Sequence, residues 1–394
     1  MKLRKVAIIG FGQSQFRYRR DDASYAELVQ EAVLAALKDA GAGTNDIQAV
    51  VFSLAPDSLI GIGNAERWCV DAIGASKKPF MRVNTGGSTG ISSVQTGYYH
   101  IASGLFDCVI VAGADKVGES GDSQIILNKM WDPIYERQIP LNAINMLALS
   151  AVRYMHKYGM TERHMAMVTV KNRKNASKNP YAHLRKETTI EEVMTSRVLS
   201  WPIKLFDACP QSSGGAAIIL ASEEMAKRLV PQPAWIKGVG HSSETYYQGD
   251  RMGPAAVHDH ADAFALGQSF RRAYTMAGIK NPAKEVDVAE LYAPFSNTEY
   301  HAIDAAGFCK PGESLNLMEE GYFNIDGPMP VNPSGGTLCT NPIAVTAMVR
   351  VGEAALQVMG KAGERQVKGA RTAIANGNGG DHQFFGTMVL GQEP

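Results

Sequence analysis

Val83-Asn84-Thr85-Gly86-Gly87-Ser88 and Val331-Asn332-Pro333-Ser334-Gly335-Gly336-Thr337 are two versions of one pattern. Each sets an apolar residue and an asparagine ahead of paired glycines and a hydroxyl, and each opens a run with helical spacing. A repeat this long is no solenoid unit. It predicts two similar halves packed face to face, with the glycine turns meeting near a pseudo-twofold axis. Helix N-termini concentrate backbone N–H donors and positive dipole. Two of them facing one pocket would suit a developing oxyanion or thiolate.

The segments around the turns repeat in the same order. Val6–Gly10 reads as a buried strand, Tyr25–Ala40 as a helix closed by Gly41, Asp46–Phe52 and Val109–Gly113 as further strands. Their counterparts are Trp235–Gly240, Phe270–Ala277 followed by Gly278, Val286–Tyr292 and Ala373–Gly377. Pro342–Met359 answers the helix after Gly87. This order predicts an α/β fold with a mainly parallel sheet covered on both faces. Residues 1–230 and 231–394 form the halves. A stretch at about 117–205 breaks the pattern with helices over Asn142–Tyr158 and Thr161–Ser177, and reads as an inserted lid or dimerisation arm.

Composition narrows the function. In 394 residues, 39 Lys and Arg balance 39 Asp and Glu, which argues against nucleic acid or an anionic membrane as the main partner. No stretch is long and apolar enough to span a bilayer, and Met1–Val6 leads into a strand with no signal-peptide core. The five cysteines lie far apart without a Cys-x-x-Cys pair, as expected for free thiols in a reducing cytoplasm rather than a zinc ribbon.

Several stretches carry possible chemistry. Cys339 precedes Asn341-Pro342, a good N-cap and first-turn pair, so its thiol is expected at a helix start where its pKa falls; the alternative is a small buried cysteine in a tight turn. The other cysteines read as buried. Tyr292 ends a strand at the edge where α/β sheets bind ligands, as proton donor or as a buried aromatic. His382, beside Asp381 in the polar Asn376–His382 loop, is the histidine in a plausible catalytic loop or a surface turn. Gly87, Ser88, Gly336, Gly379 and Gly380 permit close backbone approach to a ligand. Gly10-Phe11-Gly12 lacks the third glycine of a dinucleotide fingerprint, Gln15 standing there, and reads as a tight strand exit. His258-Asp259-His260-Ala261-Asp262 has metal-binding residue types but no further ligand set, and reads as a surface loop.

Together these residues resemble the thiolase superfamily, in its sterol-carrier-type and archaeal-type branch with the related side-chain aldolases. Lys171-Asn172, Asn179-Pro180-Tyr181, Leu205–Cys209 and Asn332–Gly336 carry the resemblance beside the first strand. It implies a duplicated αβαβα five-layered fold with an inserted lid domain. It also implies coenzyme A as co-substrate with no covalently bound cofactor and no metal, a homodimer core, and a small partner subunit with a zinc ribbon and an oligonucleotide-fold barrel. The family's acyl-accepting cysteine matches Gly87, its strand-end histidine matches Tyr292, and the histidine of its Gly-His-Pro motif matches Asn341. The last cysteine loop matches Asn376–Gly380, without cysteine.

With all four side chains altered, the resemblance leads first to an acyl-CoA C-acyltransferase of thiolase type. Cys339 would take the acyl group, Asn341 would hold the thioester oxygen, and Tyr292 or His382 would move protons. The chain looks like the large subunits of two-component thiolases, benzoylsuccinyl-CoA thiolase among them, and degradation of aromatic or lipid compounds is the implied setting. The alternatives are retro-aldol cleavage of a 3-hydroxyacyl-CoA through Tyr292, as in steroid side-chain aldolases, and a non-catalytic scaffold.

Overall fold

The computed structural model describes residues 3–119, 121–139, 141–252, 256 and 258–394; Met1 and Lys2 of the opening segment lie outside them. The strands are β1 (Val6–Gln13), β2 (Ala49–Ser53), β3 (Phe80–Val83), β4 (Cys108–Lys116), β5 (Val198–Ser200), β6 (Ile203–Lys204), β7 (Ser213–Ser222), β8 (Ala234–Ser243), β9 (Val288–Glu290), β10 (Thr372–Gly379) and β11 (Phe384–Gly391). The helices of the first half and insertion are α1 (Tyr25–Ala40), α2 (Glu66–Ile73), α3 (Thr89–Ala102), α4 (Ser123–Leu127), α5 (Ala143–Tyr158), α6 (Glu162–Ser177), α7 (Ile190–Thr195) and α8 (Glu223–Leu229). Those of the second half are α9 (Phe264–Ala277), α10 (Pro282–Glu285), α11 (Ser296–Ala305), α12 (Ser314–Glu319), α13 (Gly336–Cys339) and α14 (Thr346–Met359).

Nine strands form one sheet in the order β3-β2-β4-β7-β1-β8-β11-β10-β9. The order is symmetric about the β1–β8 junction, where Ala7 opposes Trp235 and Ile8 opposes Ala234. Val331 bridges Ala289 in parallel, in the place that β3 fills beside β2. The halves therefore meet edge to edge as well as across their faces. Among the strand pairs of the described residues, β2–β3, β2–β4 and β9–β10 are parallel and the others antiparallel, so the sheet is mixed rather than mainly parallel. The difference comes from β7 and β11, which each return antiparallel between their neighbours.

The layers follow from which faces are apolar. Helix α1 turns Leu28, Val29, Ala32, Val33 and Ala36 onto β1 and β7, and α9 covers β8 and β11 in the same way. On the opposite faces α3 and α14 pack against each other and touch strands of both halves. The result is five layers: helix, one half of the sheet, helix pair, the other half of the sheet, helix. Local chemistry fixes the ends: Ser24 and Glu27 form a capping box at the start of α1, and Gly41 closes it in left-handed conformation. Asn142 and Thr161 cap the two long helices of the insertion. Helix α6 lies over α11, α12 and α13, which seats the insertion above the second glycine turn. Among the described residues, no helix is long and apolar enough to cross a membrane.

Candidate active site

The two asparagines preceding or answering the glycine turns hold the strand end that carries Tyr292. Asn332, in left-handed conformation at φ 55°, accepts from the Leu291 backbone N–H at 2.7 Å, and Asn376 accepts from that of Tyr292 at 2.8 Å. Behind them lies a charged network with no access to water. Glu299 accepts from Asn172 and Asn332, each at 2.7 Å, and pairs with Lys171 at 2.9 Å. Glu290 pairs with Arg350 at 2.5 Å and accepts from the Ser334 hydroxyl at 2.7 Å. Burial pushes the Glu290 carboxyl up against the pull of Arg350. Such buried pairs contribute little net stability but cost much if one partner is lost.

Tyr292 opens into a pocket of about 410 Å³. Gly87, Cys209, Asn341, Asn378, Gly379, Gly380, Asp381 and His382 share its polar end. The remaining wall is mostly apolar, with Leu147, Leu184, Leu205, Phe206, Phe295 and Ile343 prominent, and Ser123, Gln124, Gln211 and the cation Arg173 complete the lining. A chamber with mostly apolar walls and a few converging polar groups is the usual form of a small-molecule site.

At the polar end, Gly87 and Tyr292 compete for one volume. A Cβ on residue 87 would sit 2.7 Å from Tyr292 Oη and 2.6 Å from the Asn378 carbonyl oxygen. The phenol therefore occupies the space from which a side chain at residue 87 would project. Burial raises the Tyr292 hydroxyl well above its ordinary pKa, so it stands as a neutral donor.

Asn341 is anchored on three sides. Its side-chain oxygen accepts from Thr346 Oγ1 at 2.8 Å, its backbone N–H donates to Ser212 Oγ at 3.1 Å, and its Nδ2 donates to Cys209 Sγ at 3.1 Å. The turn after it is held across the halves. The Ala344 N–H donates to Asp115 at 2.8 Å, and its carbonyl accepts from the Ser53 hydroxyl at 2.6 Å. Burial lifts the Asp115 carboxyl to about 7. This clamp delays the helix: α14 starts at Thr346, not at Pro342, and Asn341 caps nothing.

Cys339 is accordingly not at the start of a long helix. It ends the short α13, is fully buried in an apolar core shared by the insertion and the second half, and does not line the pocket. Burial pushes its thiol up to about 12, the reverse of the lowering expected for a helix start. Ser88 and Gly336 also stay outside. Ser88 is buried beside Ser92, and Gly336 is walled by the Asn332 side chain. Tyr292, Asn341, His382, Gly87, Gly379 and Gly380 are brought together. Cys209, read from the sequence as a buried core thiol, is the cysteine that lines the pocket; burial raises it to about 12. Its position in Asp207-Ala208-Cys209-Pro210, between the insertion and β7, was the available signal. The His258–Asp262 stretch is a salt-bridged corner, with Asp259 bound by Arg153 and Lys157. Among the described residues no cluster of His, Cys, Asp and Glu is suited to a metal.

Comparison with known proteins decides the family. The pattern described as "Thiolase, N-terminal domain" matches residues 6–196, and that described as "Thiolase C-terminal domain-like" matches residues 251–392. The acetyl-CoA acetyltransferase of Methanothermobacter thermautotrophicus is 32% identical over 383 residues, covering 96% of this chain and 97% of that protein. The chain belongs to the thiolase family. A second relative does different chemistry: the steroid side-chain-cleaving aldolase of Thermomonospora curvata is 29% identical over 353 residues, covering 84% of this chain and 85% of that protein. Among solved structures, the Ltp2-ChsH2(DUF35) aldolase matches with a TM-score of 0.82 at 26% identity, covering 98% of both chains. The five-layered α/β fold is thus the thiolase fold, and the relatives span acyl-CoA acyl transfer and aldol cleavage.

Proposed function

We propose that this thiolase-family chain makes or breaks the Cα–Cβ bond of a 3-hydroxyacyl-CoA by aldol chemistry, with Tyr292 as the proton-transfer group. The observation that carries the reading is the Tyr292 hydroxyl lodged against Gly87, where the family resemblance puts the acyl-accepting thiol. In the cleavage direction the small fraction of Tyr292 present as phenolate takes the proton of the substrate hydroxyl, which becomes a carbonyl. The Cα–Cβ bond breaks, and its electron pair moves to Cα as the thioester enolate. Protonation at Cα then releases an acyl-CoA. In the forming direction each step reverses, and the raised pKa of Tyr292 makes it a donor matched to an alkoxide. Asn341 Nδ2 serves as donor to the thioester oxygen, and His382 and Asp381 line the same end for the Cα proton. The apolar walls suit a bulky acyl substituent.

The partner expectation belongs to this reading. The similar aldolase is a complex of two named components, which supports a small second subunit here, with coenzyme A entering as the thioester carrier. The zinc ribbon, the homodimer core and a cytoplasmic setting stay proposals of the same resemblance.

The test is product chemistry on a panel of 3-hydroxyacyl-CoA esters, with the small partner present. An aldehyde or ketone should appear without consumption of free coenzyme A, and Tyr292→Phe should lower the rate by about 10²-fold or more. Cleavage that requires stoichiometric coenzyme A, or that survives Tyr292→Phe, overturns the reading. One observation favours acyl transfer instead: the Cys209 thiol faces the pocket with Asn341 Nδ2 at 3.1 Å. An acyl adduct on Cys209 in intact-mass spectra, absent in Cys209→Ala, would establish that route.

A further inference from the structure

The loop that brings His382 to the pocket is held in a costly conformation. Asp381 and His382 both have positive φ, 54° and 66°. For residues other than glycine, two such conformations in succession persist only where surrounding contacts over-determine them. Here the contacts come from one turn. Arg251 donates to the His382 carbonyl at 3.0 Å and to that of Asp381 at 3.5 Å, and its other Nη donates to Thr245 at 2.9 Å. Gln248 donates to the Asp381 carbonyl at 3.1 Å.

The clamp turns the His382 ring toward a second buried imidazole. The rings of His382 and His260 lie 6.1 Å apart between centroids, at 47°. Among the described residues, the Nε2 of each has no hydrogen-bond partner. Both rings border a cavity of about 20 Å³, enclosed also by Glu244, Arg251, His258, Asp259 and Phe264. That volume holds one water, and two unpartnered nitrogens plus the charged walls give such a water its bonds. On its far side His260 borders a larger cleft of about 560 Å³ with Arg153, Arg251 and Asp259. On its near side His382 borders the active-site pocket. The two rings therefore span the wall between the pocket and a second cleft. Burial and the positive neighbour Arg251 keep both rings neutral, His260 down at about 4 and His382 lower than its ordinary value. A third buried imidazole, His301, stacks on Tyr154 at 4.6 Å and adds to the same effect.

We propose that His260, through one water and His382, is a proton relay from the second cleft to the substrate Cα. The inference rests on the aldol reading above, which requires a proton at Cα. A proton from buffer enters at one nitrogen of His260, and the other nitrogen releases one to the water. The water passes a proton to His382, which delivers one to the enolate carbon. Each ring takes up and gives off one proton, so neither changes charge over a turnover. His260 does not touch substrate; it acts as a positioning and supply residue for His382.

The experiment is exchange of the Cα protons of butyryl-CoA in D2O, followed by mass spectrometry, on the full chain with the small partner present. The wild-type chain should exchange. His260→Ala and His260→Asn should each exchange at least tenfold more slowly while still binding butyryl-CoA. Millimolar imidazole, entering by the second cleft, should restore exchange in His260→Ala without accelerating the wild type. A structural role alone would not give that rescue. Wild-type exchange with either folded variant at the same rate overturns the relay and leaves the aldol reading standing, as does a loss in His260→Ala that imidazole does not recover. No exchange by the wild-type chain overturns both.

Discussion

Gly87→Ala is the substitution whose cost can be worked most directly from the structure. The new Cβ would meet Tyr292 Oη at 2.7 Å and the Asn378 carbonyl oxygen at 2.6 Å, with Tyr292 Cζ at an ordinary 3.4 Å. Two contacts inside van der Waals range force a shift of backbone and ring, and overpacking of this kind costs about 1–3 kcal/mol. Tyr292→Phe deletes one of the two offending oxygens and leaves the other, so it should recover roughly half of that cost. In a double-mutant cycle this appears as a favourable coupling of about 1 kcal/mol, against additivity within about 0.3–0.5 kcal/mol for unconnected sites. Urea midpoints of the wild type, both single variants and the double variant measure it. Additive stabilities would show that the phenol does not occupy the space beside residue 87, and the argument for Tyr292 in place of a thiol would fall with it.

Cys339→Ala should lower stability by about 1 kcal/mol through the space it leaves, with turnover unchanged, as steady-state assays and thermal melts would show. In the cleavage direction the rate should climb with pH, about tenfold per unit, without a plateau below the ordinary phenol range near 10. The reactive Tyr292 phenolate is scarce while burial holds its pKa up, and a pH–rate profile checks this. Asp115 titrates near 7 when folded and at about 3.9 when unfolded, so between those values the native chain binds more protons and stability falls as pH rises. Asp115→Asn should therefore reduce the stability difference between pH 5 and pH 8 by about 1–3 kcal/mol, whatever constant offset the altered hydrogen bonds add; denaturation at the two pH values tests it. Arg350→Met should cost about 3–5 kcal/mol by leaving Glu290 buried without its partner, and pairing it with Glu290→Gln should cost less than the sum.

What was legible in the sequence was local. Ser24, Glu27 and Gly41 fix α1 at Tyr25–Ala40 as its spacing predicts, and Asn142 and Thr161 mark the insertion's helices for the same reason. The order of repeated segments was enough for the fold. Strands β7 and β11 were missed because Ser213–Ser222 and Phe384–Gly391 mix glycines with apolar residues and lack alternation; both are strands because a neighbour pairs on each side. The site failed where distant residues decide. Pro342 looks like a first-turn proline, but Asp115 and Ser53, in the other half, hold Ala344 in a turn ahead of the helix. That displaces the helix start and strands Cys339 in the core. Nothing within a few residues of Cys209 announces that Asn341 points at it, since that contact closes over 132 positions.

The helix pair at the centre has one further consequence. A Cβ on Gly90 would lie 2.3 Å from the Met348 backbone nitrogen, so α3 and α14 cross with bare backbone between them at that point. These helices carry the Gly87 turn on one side and follow the Asn341 turn on the other. With no side chain to flex at the crossing, neither wall of the chamber can slide without dragging its counterpart. The chamber's floor behaves as a single anvil, and any breathing that admits or expels a bulky thioester must come from its roof.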